Sequence, residues 1–343
     1  MDPEEVVIMR IGSLASSVVL LLTAVPCLAQ QKNPSATAGY DPASRATVVH
    51  EAQVYIAADP ASQKVTVVSP GHEVVVMERS GGWLRVFADT DVEENPEEVP
   101  MFGEAAAAQP ASGWMKDKGV IGPATPQGDL LLFGSAANEE VLAEDPHAPK
   151  DAAQSAHLLY RRLDDYFPQS PLAPEAAWRS ADIRWQLEKQ DISSLPSAHE
   201  QASYLRPQIY EDQMRKVAKT YRGTKWEALA EYELLDNKLC GDWQGLPKCP
   251  EQEAGLYLKY ANQFPQGPKT ADALYNAAYR EGALVDMYNV DGNRKRSDIA
   301  ASRSKDIAQQ LESQFPGTDD AARAATLIYK LQQGIAIYGS DRD

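Results

Sequence analysis

Three cysteines and five histidines carry most of the chemical potential of this 343-residue chain. Cys240 and Cys249 bracket the segment GDWQGLPK. In an oxidising compartment that pair is expected to close a local disulfide, with two free thiols as the alternative. By chain entropy so short a loop would stabilise by on the order of 2–3 kcal/mol. A nucleophilic cysteine needs an activating base, yet the last histidine, His199, precedes both. His50, His72, His147, His157 and His199 lie apart, with no HExxH spacing for zinc. Gly267-Pro268-Lys269-Thr270 lacks the Gly-Lys adjacency and the upstream glycine of a phosphate loop, and no GxSxG elbow occurs. A calcium loop around Asp291-Gly292-Asn293 would put its first ligand on Met287, which cannot serve. The expectation is therefore no catalytic residue, no metal and no cofactor.

What must position any binding residues can be read from composition and periodicity. Lys+Arg number 33 against 49 Asp+Glu, a net charge of −16, which argues against nucleic acid because phosphate contacts need clustered cations. At 43% hydrophobic the chain can bury real cores, and its length implies two or three domains.

Residues 14–25, LASSVVLLLTAV, have the length of a signal-peptide apolar region, and Arg10 supplies its positive flank. Cys27-Leu28-Ala29 places small residues for cleavage between Ala29 and Gln30, so residues 1–29 read as a signal peptide. The acidic start, Asp2, Glu4 and Glu5, suits such a signal poorly, and translation from Met9 is expected instead. Lipidation at Cys27 is a second reading, although Ala24-Val25-Pro26 fits a lipobox badly. Either route gives a periplasmic, secreted or outer-membrane-anchored protein. A cytosolic protein with a buried N-terminal helix is the third. No later segment approaches 18 unbroken apolar residues, so no transmembrane helix is expected in the mature chain.

A polar linker (30–44) precedes short β-branched runs at 47–49, 54–56, 65–68, 74–77 and 83–86, separated by Asp59-Pro60, Pro70-Gly71 and Gly81-Gly82 turns. Five such strands imply a small closed barrel over 45–121. Ser80-Gly81-Gly82-Trp83-Leu84-Arg85-Val86, followed by Ser112-Gly113-Trp114-Met115, resembles the paired tryptophan signature of bacterial Src-homology-3-like domains. The strand Val54-Tyr55-Ile56 departs from that family's basic pattern, and an acidic insertion at 89–110 separates the two tryptophan strands. The insertion, with Asp89, Asp91 and Glu93 among its acids, reads as a flexible solvated loop. The resemblance implies contact with peptidoglycan or another envelope component. Tyr55, Trp83 and Trp114 would then be the ligand contacts, with a purely structural role for the tryptophans as the alternative.

After a second linker (122–150), helical periodicity governs 151–340. Ala156, Tyr160, Leu163 and Phe167 form one apolar stripe, Ala254, Tyr257, Ala261 and Phe264 a second. Ala321, Ala325, Ile328, Leu331, Ile335 and Tyr338 form a third. Phe167-Pro168, Phe264-Pro265 and Phe315-Pro316 each stop a helix, and Tyr221-Arg222-Gly223 is a degenerate copy. The pattern resembles tetratricopeptide repeats of exported proteins, such as BamD-like outer-membrane assembly lipoproteins and the cell-division coordinator family. Its stops fall farther apart than the ~34 residues of that repeat. Inserts at 191–202 and 290–297 are expected to account for the excess; an irregular bundle is the alternative.

The resulting expectation is a multidomain all-β plus all-α protein, an SH3-like barrel followed by a tetratricopeptide-like solenoid. By resemblance it is an exported, non-enzymatic envelope scaffold or adaptor that binds a protein or peptide partner. A BamD-like lipoprotein subunit and a cell-wall hydrolase accessory protein are the alternatives.

Overall fold

Every alternating run becomes a strand in the computed structural model, which describes residues 41–91 and 110–339. The strands are β1 (Arg45–Val48), β2 (Ala52–Tyr55), β3 (Lys64–Val68), β4 (Glu73–Ser80), β5 (Trp83–Ala88), β6 (Ala111–Lys116) and β7 (Val120–Ile121). All pairings are antiparallel, in the order β3-β2-β6-β5-β4-β1-β7. Val54, Val74, Leu84, Val86 and Met115 fill the hollow of this curled sheet. Gly113 is required where β2 and β6 approach: a Cβ there would lie 2.4 Å from Val54 Cγ1 and 2.7 Å from the Tyr55 carbonyl oxygen.

The expected closed five-stranded barrel is corrected to an open half-barrel, with β3 and β7 as its ends. Helices occupy the β7 end: Ile121 buries among Leu132, Ala136, Leu159 and Tyr160, which takes the place of strand closure. The signal peptide, its Ala29–Gln30 cleavage site, Cys27 and most of the 89–110 insertion lie outside the described residues.

The helices are α1 (Gly128–Ala143), α2 (Ala152–Tyr166), α3 (Ala173–Ser193), α4 (Asp212–Thr220) and α5 (Lys225–Glu233). They continue with α6 (Lys248–Gln263), α7 (Thr270–Val290), α8 (Arg294–Gln314) and α9 (Asp319–Gln333). Among the described residues none is long and apolar enough to cross a membrane. The aromatic stops fall at the helix ends, with Phe167, Tyr221, Phe264 and Phe315 as the C-caps of α2, α4, α6 and α8. The α1 helix corrects the linker expected at 122–150. The wide spacing of the stops comes from α3, α7 and α8, each 21 residues long, and from the stretch 194–211 between α3 and α4, which holds only two 3-10 turns and covers most of the insert expected at 191–202. The insert expected at 290–297 is instead a tight connection between α7 and α8.

The first two apolar stripes bury as expected, through Ala156, Tyr160 and Leu163 and through Ala254, Tyr257 and Ala261. The third does not: α9 buries Ala321, Ala324 and Leu327 and ends at Gly334, whose φ of +70° admits the left-handed cap. Ile335 and Tyr338 therefore lie beyond the helix.

Sheet and helices belong to one compact unit, joined by a buried network of charges. The turn before β4 presses on α2, where a Cβ on Gly71 (φ +85°) would lie 2.6 Å from Leu158 Cβ. One turn along α2, the Arg162 side chain is only 2% exposed. Its Nε donates to the Gly71 carbonyl at 3.1 Å, and its guanidinium pairs with Asp91 and with Asp165 at 3.3 Å. Glu73 stands 3.6 Å from the same guanidinium and accepts from Arg45 Nε at 2.7 Å and from the Tyr166 hydroxyl at 3.3 Å. Burial alone would raise the Asp91 carboxyl, but the His72 hydrogen bond, the Arg162 charge and the Glu73 N–H hold it below the usual carboxylate range. This corrects the solvated-loop expectation for the start of the insertion: Thr90 is buried, and Asp91 is a pillar of the junction.

Candidate functional site

The sheet brings the three aromatic residues singled out from the sequence onto one outer face. Tyr55 pairs across β2 and β6 with Trp114, which pairs across β6 and β5 with Arg85. Trp83, two residues before Arg85, meets the edge of Tyr55 with ring centroids 5.9 Å apart and carries the Lys116 ammonium 3.7 Å from its ring centre. Trp83 is 7% exposed, so it supports the sheet, whereas Tyr55 and Trp114 are half-buried. Cys240 and Cys249 also come together, Sγ to Sγ 2.14 Å, with Cα atoms 6.0 Å apart. The loop they close is clamped from below: Glu253 accepts from Cys240 N at 2.8 Å and from Trp243 Nε1 at 3.2 Å, and pairs with Arg280 at 2.7 Å.

A third constellation escaped sequence reading. Helices α3, α5, α7 and α9 stand in a row: α3 contacts α5, α7 contacts α9, and Tyr232 of α5 faces Lys269 and Asn276 at the start of α7. Along this row run Asp182, Glu233, Asp236, Asp272 and Asp320, against Lys189, Lys269 and Arg323. Local structure fixes each of them. Thr224 caps the nine-residue α5 by accepting from Trp226 N, and α5 ends at Glu233. The 3-10 turn that follows is tied down by Asn237, which exchanges 2.9 and 2.8 Å hydrogen bonds with the Ile209 backbone. That turn delivers Asp236 to Lys189 Nζ at 2.7 Å and to Trp185 Nε1 at 3.2 Å.

Asp182 and Glu233 fare differently from Asp236. Among the described residues neither makes an ion pair, and the neutral Gln186 amide donates to both at 3.2 Å. Burial, then Asp182 and Asp236, push the Glu233 carboxyl up to about 7; Lys189 and Lys269 only partly offset them. Burial raises Asp182 as well, and burial with Asp272 raises Asp320. Beside these acids, Tyr275 and Tyr279 lie nearly parallel with centroids 6.4 Å apart, and the Arg323 guanidinium sits 3.8 Å from the Tyr275 ring centre. Half-buried carboxylates short of counter-cations, next to rings that already hold one guanidinium, form a surface that takes ammonium and guanidinium groups.

No sequence signal marks this row, because its members come from α3, α5 and the turn after it, α7 and α9, spread over residues 182–323. Only the i, i+4, i+7 spacing of Asp182, Gln186 and Lys189 could have flagged one helix of it. In comparisons with known proteins, the chain matches no family model and no curated sequence.

Proposed function

We propose that this chain is an exported, non-enzymatic scaffold of the cell envelope, whose helical array binds a basic segment of a partner protein. The helices would follow tetratricopeptide-like order and the half-barrel an SH3-like one, as the aromatic-proline stops and the paired tryptophans imply. The observation that carries the reading is the Asp182–Glu233 pair, held half-buried with no cation in ion-pair contact among the described residues. Holding like charges together in the free protein costs stability, and an incoming lysine or arginine relieves that cost. A fluorescent peptide rich in Lys and Arg, titrated into the full chain, tests it by anisotropy. Binding should weaken with added salt and fall about tenfold in the triple variant Asp182→Asn, Glu233→Gln, Asp320→Asn. Asp59→Asn, in a turn of the sheet, should leave it unchanged. Equal binding by wild type and triple variant would refute the reading.

A second reading concerns the sheet. The adjacent, half-buried Tyr55 and Trp114 beside the exposed Arg85 form a platform suited to stacking on sugar rings, in keeping with an envelope or peptidoglycan contact. Co-sedimentation with purified peptidoglycan that survives Trp114→Ala would remove it.

A further inference from the structure

The first helix of the array is apolar on both sides. Inward, α1 buries Leu132 and Ala136 among Ile121, Leu159 and Tyr160. Outward, it exposes Leu130, Leu131, Gly134, Val141 and Leu142, with Asn138 between them. The four large side chains are from 40% (Leu142) to 68% (Val141) exposed. At 3.6 residues per turn these six positions share about a third of the helix circumference, so they form one face. A helix apolar all round belongs in an interior, and the end helix of an array ordinarily turns a polar face outward. The last helix does so: α9 exposes Arg323, Thr326 and Lys330.

From this geometry we infer that the outer face of α1 seats the α1 of a second copy of the chain, the two helices antiparallel about a two-fold axis. The spacing argues for this occupant. Reversed end for end, the face maps onto itself, Leu130 onto Leu142, Leu131 onto Val141 and Gly134 onto Asn138. A two-fold interface must be self-complementary in this way. Large side chains then meet large ones, and each Asn138 lies over the bare backbone of the other copy's Gly134, where a Cβ would meet nothing within 4 Å in the single chain.

Charge selects the antiparallel sense. Glu139, Glu140 and Glu144 crowd the C-terminal end of α1, a helix without a basic residue. Parallel packing would set these acids against their own copies. Antiparallel packing sets them toward the positive N-terminal end of the other α1, whose Asp129 is turned to Ser170 at 2.6 Å. The face has far fewer residues than the roughly 20–30 a side of a standard interface, so the pair forms weakly, at micromolar concentration. It shares no residue with the acidic row, and the inference stands apart from the function proposed from that row.

Sedimentation velocity of the full chain over about 1–200 µM tests it, with dimer expected to grow with concentration. Leu131→Lys and Val141→Glu, each at a position exposed in the single chain, should each weaken association at least about tenfold. Mixing the two variants should restore it, because the antiparallel register sets one introduced charge against the other. Association that persists in Leu131→Lys, or a mixture no tighter than its components, would overturn the inference. So would a wild type that stays monomeric throughout, including one that sediments instead with phosphatidylcholine vesicles.

Discussion

Two regions rich in buried acid behave in opposite ways. At the junction of sheet and α2, Glu73 and Asp91 meet Arg162 and Arg45, and the Asp91 carboxyl falls below its ordinary range. Along α3, α5, α7 and α9, Asp182 and Glu233 share a neutral amide, and the Glu233 carboxyl rises to about 7. The same residue types serve two purposes. Where cations match the acids, charge welds two architectures into one unit. Where they fall short, the fold carries a standing electrostatic cost that a binding partner can relieve.

The largest effect should come from unbalancing the junction. Arg162→Met leaves Glu73 and Asp91 buried without their shared cation and should cost about 3–5 kcal/mol in urea unfolding. A loss under about 1 kcal/mol would mean that the network does not hold sheet to helix. Gly71→Ala attacks the same seam sterically, since its Cβ would also meet Leu159 N at 2.8 Å. With the added strain at positive φ, about 2–3 kcal/mol should be lost. A neutral result would show that the turn can lift off α2 freely.

Titration separates the two regions by sign. Asp91 is depressed in the folded chain, so its stabilisation is complete above the ordinary 3.8 and fades as pH falls through its lower folded value. Glu233 is raised from 4.5 to about 7, so the folded state holds an extra proton between those values, and stability declines as pH climbs through them. Glu233→Gln should therefore stabilise the protein at pH 8 by about 1 kcal/mol, after discounting for solvent screening, and change little at pH 4. Thermal unfolding at both pH values reads this smallest of the effects. Destabilisation at pH 8 would mean that the carboxylate is paired after all.

The contrast also explains how much the sequence discloses. Strands and helix stops are local: the β-branched run Val74-Val75-Val76 favours extended backbone, and proline after Phe167 or Phe264 cannot continue a helix. The helix at Gly128–Ala143 was hidden by the near-continuous apolar run Leu130-Leu131-Leu132-Phe133, which shows no clean stripe: Leu132 is buried, whereas Leu130 and Leu131 are exposed. Trp83 and Trp114 could be collected from motif spacing, because the neighbouring strands β5 and β6 carry the motif, and Tyr55 joins them from β2. In the sequence nothing separates Arg162 from its neighbour Arg161. Only tertiary packing distinguishes it from Arg161, whose side chain is 25% exposed. Which acids are matched by cations is equally a property of helix–helix contacts, and no single helix encodes it.

The most direct test of the central claim is a carbon-detected NMR titration of the Glu233 carboxyl, with and without the Lys/Arg-rich peptide. A midpoint near 7 in the free chain, falling when the peptide binds, is the predicted result. A midpoint near the ordinary 4.5, unmoved by the peptide, would contradict the account.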